Sequence, residues 1–249
     1  MMLIVDIGNS AIKAGVFDGS NLLRTWRLPS ITSDAARIAD ILQDYPAIAS
    51  VAIGSGVPEL TQIVSDLFRG IGLDVVVLNA SSKLPISISY QPPESVGIDR
   101  LANVVGAKLL YGAPAIVVDV GTAVTVDVLN ADNIFVGGAI WAGPHTVSRA
   151  LGANAAALHE VEISTPTNAI GRSTVECLQS GIMHGLLGGA ERLIRHTRAE
   201  LGTNAPVIVT GGGADYLHEL KTLVTAFEPA LTLHGLRAIY ESLQINKSK

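Results

Sequence analysis

The chain has 249 residues, a net charge of −5 and 48% apolar residues. This length and composition allow a large core, in one domain or in two half-size ones. Charges of one sign do not gather in long runs, which argues against a nucleic-acid-binding face and a membrane-surface helix. The apolar runs are too short to span a membrane, and the first residues lack the features of a signal peptide. We therefore expect a globular, cytoplasmic protein whose partners are small molecules or other proteins.

The first predicted elements are a buried strand, a glycine turn and a second strand. Residues 3–7 are mostly apolar, and Gly8 permits the positive φ of a tight turn. Asp6 before the turn and Lys13 after it flank backbone N–H groups that can hold phosphate oxygens, with Asp6 holding Mg²⁺ through water. The same pattern also occurs as ordinary turn chemistry, in which case Lys13 is a solvated strand residue. Taken alone, this turn leaves both interpretations open.

The rest of the first half alternates strands and helices. Apolar runs and helix-boundary signals predict strands at 22–28, 48–53 and 74–78, an extended segment at 86–90, and helices at 33–43, 59–69 and 99–112. The order is therefore three strands, followed by helices and strands in alternation.

The second half repeats that order. Residues 116–120 are again a buried strand, and Asp119-Val120-Gly121-Thr122 repeats the acidic glycine turn. Further strands are predicted at 122–129, 134–138, 207–209 and 231–233, and helices at 144–157, 173–200, 214–224 and 236–243. Two such series predict a duplicated α/β fold with halves 1–112 and 113–249 that face each other across a cleft.

A series of short motifs identifies a family. In chain order they are Asp6-Ile7-Gly8-Asn9-Ser10-Ala11-Ile12-Lys13, Val96-Gly97-Ile98-Asp99-Arg100, Asp119-Val120-Gly121-Thr122-Ala123, Gly137-Gly138-Ala139-Ile140, Gly171-Arg172-Ser173-Thr174 and Thr210-Gly211-Gly212. Together they resemble the type III pantothenate kinases over nearly the whole chain. The resemblance implies two duplicated ribonuclease H-like halves of order βββαβαβα with an interdomain cleft, as in the actin-like ATPase superfamily. The chain departs from the family at Ser10, where threonine is usual, and at Trp141-Ala142-Gly143-Pro144, where the family has proline-glycine.

The resemblance also implies a function. The family phosphorylates pantothenate with ATP to 4'-phosphopantothenate, the first step of coenzyme A biosynthesis, and is expected to need Mg²⁺ and K⁺ or NH₄⁺. By resemblance, the ATP-binding residues are Asp6, Ile7, Gly8, Asn9, Ser10, Ala11, Ile12, Lys13 and Thr122. Asp119 would hold the monovalent cation, because a carboxylate at a buried strand end is otherwise a costly unpaired charge. An Asp that caps its own turn is the alternative.

The substrate site is also assigned by resemblance. The residues that match the family's pantothenate site are Tyr90, Gly97, Ile98, Asp99, Arg100 and Thr174. Asp99 is the expected catalytic base, because a primary alcohol is too weakly acidic to ionise at neutral pH without a proton acceptor. Arg100 suits the carboxylate of pantothenate, and Tyr90 suits its gem-dimethyl carbons. The alternative is a surface ion pair between Asp99 and Arg100 at a helix N-terminus.

A homodimer is expected from the family and from the predicted helix near residues 175–194. Its apolar residues exceed what a small second half needs to bury: Leu178, Ile182, Leu186 and Leu193. We expect no nucleic-acid partner and no membrane partner.

Other classes of protein fit the sequence less well. A sugar or acyl kinase of the same superfamily is the nearest alternative. A substrate screen with ATP would distinguish such a kinase from a pantothenate kinase. A chaperone or filament protein would need room for a client domain, which 249 residues do not leave. A serine hydrolase and a P-loop enzyme are disfavoured, because neither Gly-x-Ser-x-Gly nor Gly-x-x-x-x-Gly-Lys-[Ser/Thr] occurs.

Overall fold

The structure, a computed structural model, describes residues 1–247, and contacts divide the chain into two compact units. Unit 1 comprises Met1–Gly112, Asn133–Val136 and the chain from Ala230 onward. Unit 2 comprises Ala113–Asp132 and Gly137–Pro229.

Two series of elements follow one another along the chain. The first is β1 (Met2–Ile7), β2 (Ala11–Asp18), β3 (Asn21–Pro29), α1 (Thr32–Ala35), a 3-10 helix (Ala36–Asp40), α2 (Ile41–Asp44), β4 (Ser50–Ser55), α3 (Pro58–Gly70), β5 (Asp74–Leu78), β6 (Ser87–Ile88), a 3-10 helix (Pro93–Ser95) and α4 (Ile98–Tyr111). The second is β7 (Ala115–Val120), β8 (Ala123–Leu129), β9 (Ile134–Ala142), α5 (Pro144–Asn154), α6 (Thr174–Leu201), β10 (Val207–Thr210), a 3-10 helix (Ala214–Leu220), β11 (Ala226–Phe227) and α7 (Leu231–Lys247). Each series begins with three strands and continues with helices and further strands, as the sequence predicts.

Unit 1 contains a five-stranded sheet in the order β3, β2, β1, β4, β5. β1 lies antiparallel to β2 and parallel to β4. β1 is the central strand, and its residues Leu3, Ile4 and Val5 are fully buried because both faces of the sheet are covered at this strand. α3 begins at Pro58, where the missing N–H of proline leaves no helical hydrogen bond unmade.

The sheet of unit 2 places β7 between β8 and β10. β8 pairs antiparallel with β7, β10 pairs parallel with it, and β11 pairs parallel with β10. α6 covers a core that includes Met183 and Ile194. The helix begins where the Ser173 side chain accepts a hydrogen bond from the Glu176 N–H, and it ends at Gly202, whose φ is +64°.

The helix α6 removes the sequence-based reason for expecting a dimer. Ile182 and Leu186 are buried members of the unit 2 core, and Leu178 and Leu193 pack against that core. These four side chains are therefore needed inside one chain, and the inference that they exceed the requirement of the second half is wrong.

The end of the chain also differs from its prediction. Residues 231–233, predicted as a strand, form the first turn of α7, and the strand lies earlier, at Ala226–Phe227. Leu231 and Leu233 are both buried, and apolar residues two apart are typical of a strand. Leu236, three residues after Leu233, continues the apolar face at helical spacing.

α7 belongs to unit 1, where it packs against α4. A Cβ atom on Gly106 of α4 or on Gly235 of α7 would meet backbone atoms of the other helix. The compact units therefore do not coincide with the continuous halves 1–112 and 113–249.

Two predicted helices are less regular than expected. The segment 214–224 is a 3-10 helix that ends at Leu220, and the segment 33–43 is divided into α1, a 3-10 helix and α2. Across residues 1–247, no helix is both long and apolar enough to cross a membrane.

Candidate active site

The β1–β2 turn of unit 1 brings Asp6 and Lys13 together. The two residues are direct partners in the antiparallel register, so their side chains share one face of the sheet. Asp6 is 7% exposed, and Lys13 is half-buried. A carboxylate and an ammonium group on one face, beside exposed Asn9, can hold a metal ion and phosphate oxygens.

The turn itself is held by hydrogen bonds within unit 1. The Gly8 N–H donates to the Ala11 carbonyl at 3.0 Å, and the Ser30 hydroxyl donates to the Gly8 carbonyl. The Gly56 N–H donates to the Ile7 carbonyl at 3.2 Å. The Gly8 N–H is therefore used inside the turn of this structure, and its part in holding phosphate oxygens stays a prediction.

The N-terminus of α4 exposes Asp99. Gly97 precedes the helix with extended backbone angles, and a side chain there would overlap the Asp99 carboxylate. Asp99 is exposed, whereas Ile98 is 4% exposed and points into the core. A negative charge in the first turn is favoured by the helix dipole, so the carboxylate is stable at this position without a buried partner.

Arg100 lies beneath this surface and not on it. It is 7% exposed, and its guanidinium Cζ lies 5.8 Å from the ring centroid of Tyr90 and 5.4 Å from that of Phe135. Such burial contradicts the alternative of a surface ion pair for Arg100. The sequence does not indicate that Phe135 lies near Arg100. The two residues are far apart along the chain, and the pairing of β9 with β6 brings Phe135 close to Arg100.

The acidic turn of unit 2 is built around the Thr122 carbonyl. That oxygen accepts hydrogen bonds from the Gly143 N–H at 2.9 Å and from the Thr146 hydroxyl at 2.7 Å. A side chain on Gly143 would overlap the Gly121 carbonyl. The departure at Trp141-Ala142-Gly143-Pro144 therefore keeps the glycine that this turn requires, and Pro144 opens α5.

Two threonine residues pair with Asp119 in the unit 2 sheet. Thr210 and Thr125 are its direct partners on β10 and β8, so all three side chains share one face. Thr210 is fully buried, and its Oγ1 has no hydrogen-bond partner among residues 1–247. Gly211, with a φ of +95°, leaves the space that the Asp119 carboxylate occupies. Sequence reasoning noted Thr210 only as part of a motif and did not place it beside Asp119, because that position depends on the register of β10.

Thr122 and Thr174 are both exposed in unit 2. Thr174 is the first residue of α6. The start of this helix adjoins a cavity of about 410 Å³ whose lining includes Asn168, Arg172 and Glu176.

The sequence matches a known family. A profile described as type III pantothenate kinase matches residues 2–196. The type III pantothenate kinase of Parafrankia sp. (strain EAN1pec) is 40% identical over 250 residues, which cover 97% of this chain and 98% of that protein.

Solved structures share the fold at low sequence identity. The activator of 2-hydroxyisocaproyl-CoA dehydratase from Clostridium difficile, with bound ADPNP, matches with a TM-score of 0.58 at 12% identity and covers 100% of this chain and 97% of its own. MreB5 of Spiroplasma citri, bound to ADP, matches with a TM-score of 0.52 at 10% identity, covering 100% and 98%. These likenesses confirm the predicted duplicated α/β fold. The profile match and the 40% identity show the family: the chain belongs to the type III pantothenate kinases.

Proposed function

We propose that the chain transfers the γ-phosphoryl group of ATP to the primary hydroxyl of pantothenate, giving 4'-phosphopantothenate for coenzyme A biosynthesis. The observation that carries the proposal is the N-terminus of α4, where an exposed carboxylate, Asp99, follows Gly97 and precedes a buried guanidinium, Arg100. In a member of this kinase family, that arrangement supplies both a proton acceptor and a carboxylate-binding group.

Some of the substrate-binding residues act through their side chains and others through their backbone. Asp99 orients the attacking hydroxyl and accepts its proton, while Arg100 binds the carboxylate and Tyr90 packs on the apolar carbons. Gly97 and Ile98 contact substrate through their backbone, since Ile98 is 4% exposed. By resemblance, Thr174 is a further substrate-binding residue.

ATP binding uses the β1–β2 turn and Thr122. Ile7 and Ile12 are 0% and 1% exposed, so they contribute backbone groups only. Lys13 and the turn that includes Asn9 and Ser10 hold phosphate oxygens. Asp6, on the same sheet face as Lys13, holds Mg²⁺ through water, because Mg²⁺ keeps several of its water ligands.

The surroundings of Asp119 fit a monovalent cation. No group of three or more His, Cys, Asp or Glu side chains within residues 1–247 is placed to hold a metal ion, so a cation at Asp119 needs oxygen ligands of other kinds. The buried Thr210 hydroxyl, which has no hydrogen-bond partner among those residues, faces the same side of the sheet as Asp119. We propose that Asp119 and Thr210 hold K⁺ or NH₄⁺, which supplies positive charge near the triphosphate.

A coupled ADP-release assay tests the function and the cation together. We expect ADP release with pantothenate in K⁺ or NH₄⁺ buffer, and much slower release in Na⁺. Thr210→Val should reduce the response to K⁺, because it removes the hydroxyl and keeps the shape of the side chain. A hexose panel in the same assay tests the alternative of a sugar kinase. Release with a hexose but not with pantothenate would contradict the proposed substrate, and equal rates in K⁺, NH₄⁺ and Na⁺ would contradict the cation site.

We also propose that the protein acts as a homodimer in the cytoplasm. The support for a dimer is the outer face of α6, where Gly181, Gly185 and Gly188 border open space. A glycine inside a helix costs about 1 kcal/mol relative to alanine, so three of them on one face favour close approach of another backbone.

Light scattering tests the dimer. We expect a mass of twice the 25.9 kDa chain at micromolar concentration. Gly185→Gln should lower this mass to that of one chain, because its side chain would occupy the approach surface. Gly56→Gln, at another glycine that borders open space, is the control and should leave the dimer intact. A wild-type mass of 25.9 kDa would refute the proposal.

A further inference from the structure

Arg100 is a buried cation at an unfavourable position of a helix. It is the third residue of α4, and 7% of it is exposed. The helix dipole disfavours positive charge near an N-terminus, and burial removes water that would stabilise the guanidinium. Its position therefore depends on neighbouring groups that compensate for the lost hydration.

Two aromatic rings supply part of that compensation. The Arg100 Cζ lies 5.4 Å from the ring centroid of Phe135 and 5.8 Å from that of Tyr90, and the two centroids are 6.0 Å apart. Both Cζ distances fall within the roughly 6 Å range of cation–π attraction. The guanidinium is thus held against two rings that also lie beside each other.

Backbone pairing within unit 1 places both rings. The Ser87 N–H donates to the Asn133 carbonyl at 3.0 Å, and the Ser89 N–H donates to the Phe135 carbonyl at 2.9 Å. Tyr90 follows Ser89 directly, so the pairing that places Phe135 also places Tyr90. Phe135 is 0% exposed, so its ring can affect a bound substrate only through another side chain that contacts the substrate.

We propose that Phe135 is a positioning residue that makes the site selective for a carboxylate. Its ring holds the Arg100 guanidinium in the orientation that binds the carboxylate of pantothenate, an inference that rests on the proposed function. Bidentate binding of a carboxylate requires a fixed guanidinium plane, whereas a neutral amide at the same position gains little from it. The ring should therefore matter for the acid and not for its amide.

Phe135→Leu in the full-length enzyme tests this role, with pantothenate and its primary amide as alternative substrates. We expect the KM for pantothenate to rise roughly 5- to 30-fold, as for loss of a desolvated cation–π contact. Both kcat and the KM for ATP should stay near their wild-type values, because the lost contact stabilises bound pantothenate equally in the ground state and in the transition state. The preference in kcat/KM for acid over amide should fall by the same factor. Phe135→Tyr, which keeps the ring, should have the wild-type preference for acid over amide.

Phe17 offers a matched control in unit 1. It is also 0% exposed, and the Arg237 Cζ lies 5.6 Å from its ring centroid. Phe17→Leu removes a comparable buried ring from a different arginine, so it should lower thermal stability and leave the preference for acid over amide unchanged.

The outcomes separate this inference from the proposed function. If the wild-type enzyme is active and Phe135→Leu keeps the wild-type preference, as Phe17→Leu does, Phe135 is a packing residue and the inference is overturned. If the wild-type enzyme does not phosphorylate pantothenate, the proposed function itself fails. Should Phe135→Leu not fold, Phe135→Met supplies a longer and more flexible side chain without a ring, which adapts to the same space. Its preference for acid over amide then decides the question in the same way.

Discussion

Replacing Asp99 with Asn should lower kcat for pantothenate by roughly 10²–10⁴, the range expected for loss of a general base. Asparagine keeps the shape and most of the hydrogen bonding of Asp99 but cannot accept the proton of the attacking hydroxyl. The position favours this role, because Asp99 is exposed in the first turn of α4 beside a glycine that leaves room for its carboxylate. Initial-rate kinetics measures the change, and calorimetric titration with ATP should show nearly unchanged nucleotide binding.

Glu59 provides the control for this substitution. Like Asp99, it is an exposed acid in the first turn of a unit 1 helix, in this case α3. Glu59→Gln makes the same chemical change at the same kind of position, so it reports any general effect of losing a negative charge at a helix N-terminus. If Asp99→Asn keeps more than about a tenth of the wild-type kcat, the base role is refuted, because general-base catalysis contributes more than that.

Local sequence signals predict the parts of the site that one segment builds. The turn between β1 and β2 places Asp6 and Lys13 on one face because adjacent strands joined by a tight turn must pair in a fixed register. Gly97 and Asp99 likewise lie within a few residues of each other at a helix start. In both cases the proposed chemistry follows from spacing along the chain.

The spacing of residues along the sequence does not predict contacts between distant segments. The ring of Phe135 reaches Arg100 only because β9 pairs with β6, and Thr210 reaches Asp119 only because β10 pairs with β7. Both partners lie in ordinary apolar strands, whose composition indicates burial but not register. The strand predicted at 231–233 failed for a related reason: two buried leucines fit either period, and only the packing of α7 on α4 decides between them.

The packing of α7 on α4 gives the largest stability effect that we expect. Gly235 lies so close to α4 that a methyl group would overlap the carbonyl of Ala102, and Gly106 of α4 lies against the Leu231 carbonyl. The Thr232 hydroxyl adds a buried hydrogen bond of 2.8 Å to the Asn103 side chain. Backbone atoms on both sides cannot rotate away as a side chain can, so the two helices must separate to admit a methyl group.

Gly235→Ala should therefore destabilise unit 1 by about 3 kcal/mol, at the upper end of the usual cost of overpacking. For a chain of this size, that corresponds to a fall of roughly 6–12 °C in the thermal midpoint, measured by circular dichroism or calorimetry. Because Ala102 lies one turn from Asp99 on α4, the variant should also lose activity toward pantothenate below its melting range. Gly70→Ala is the control: this glycine of α3 borders open space, so alanine should be neutral or stabilising by up to about 1 kcal/mol. Equal midpoints for the two variants would show that α7 separates from α4 without cost, which would contradict their close backbone packing.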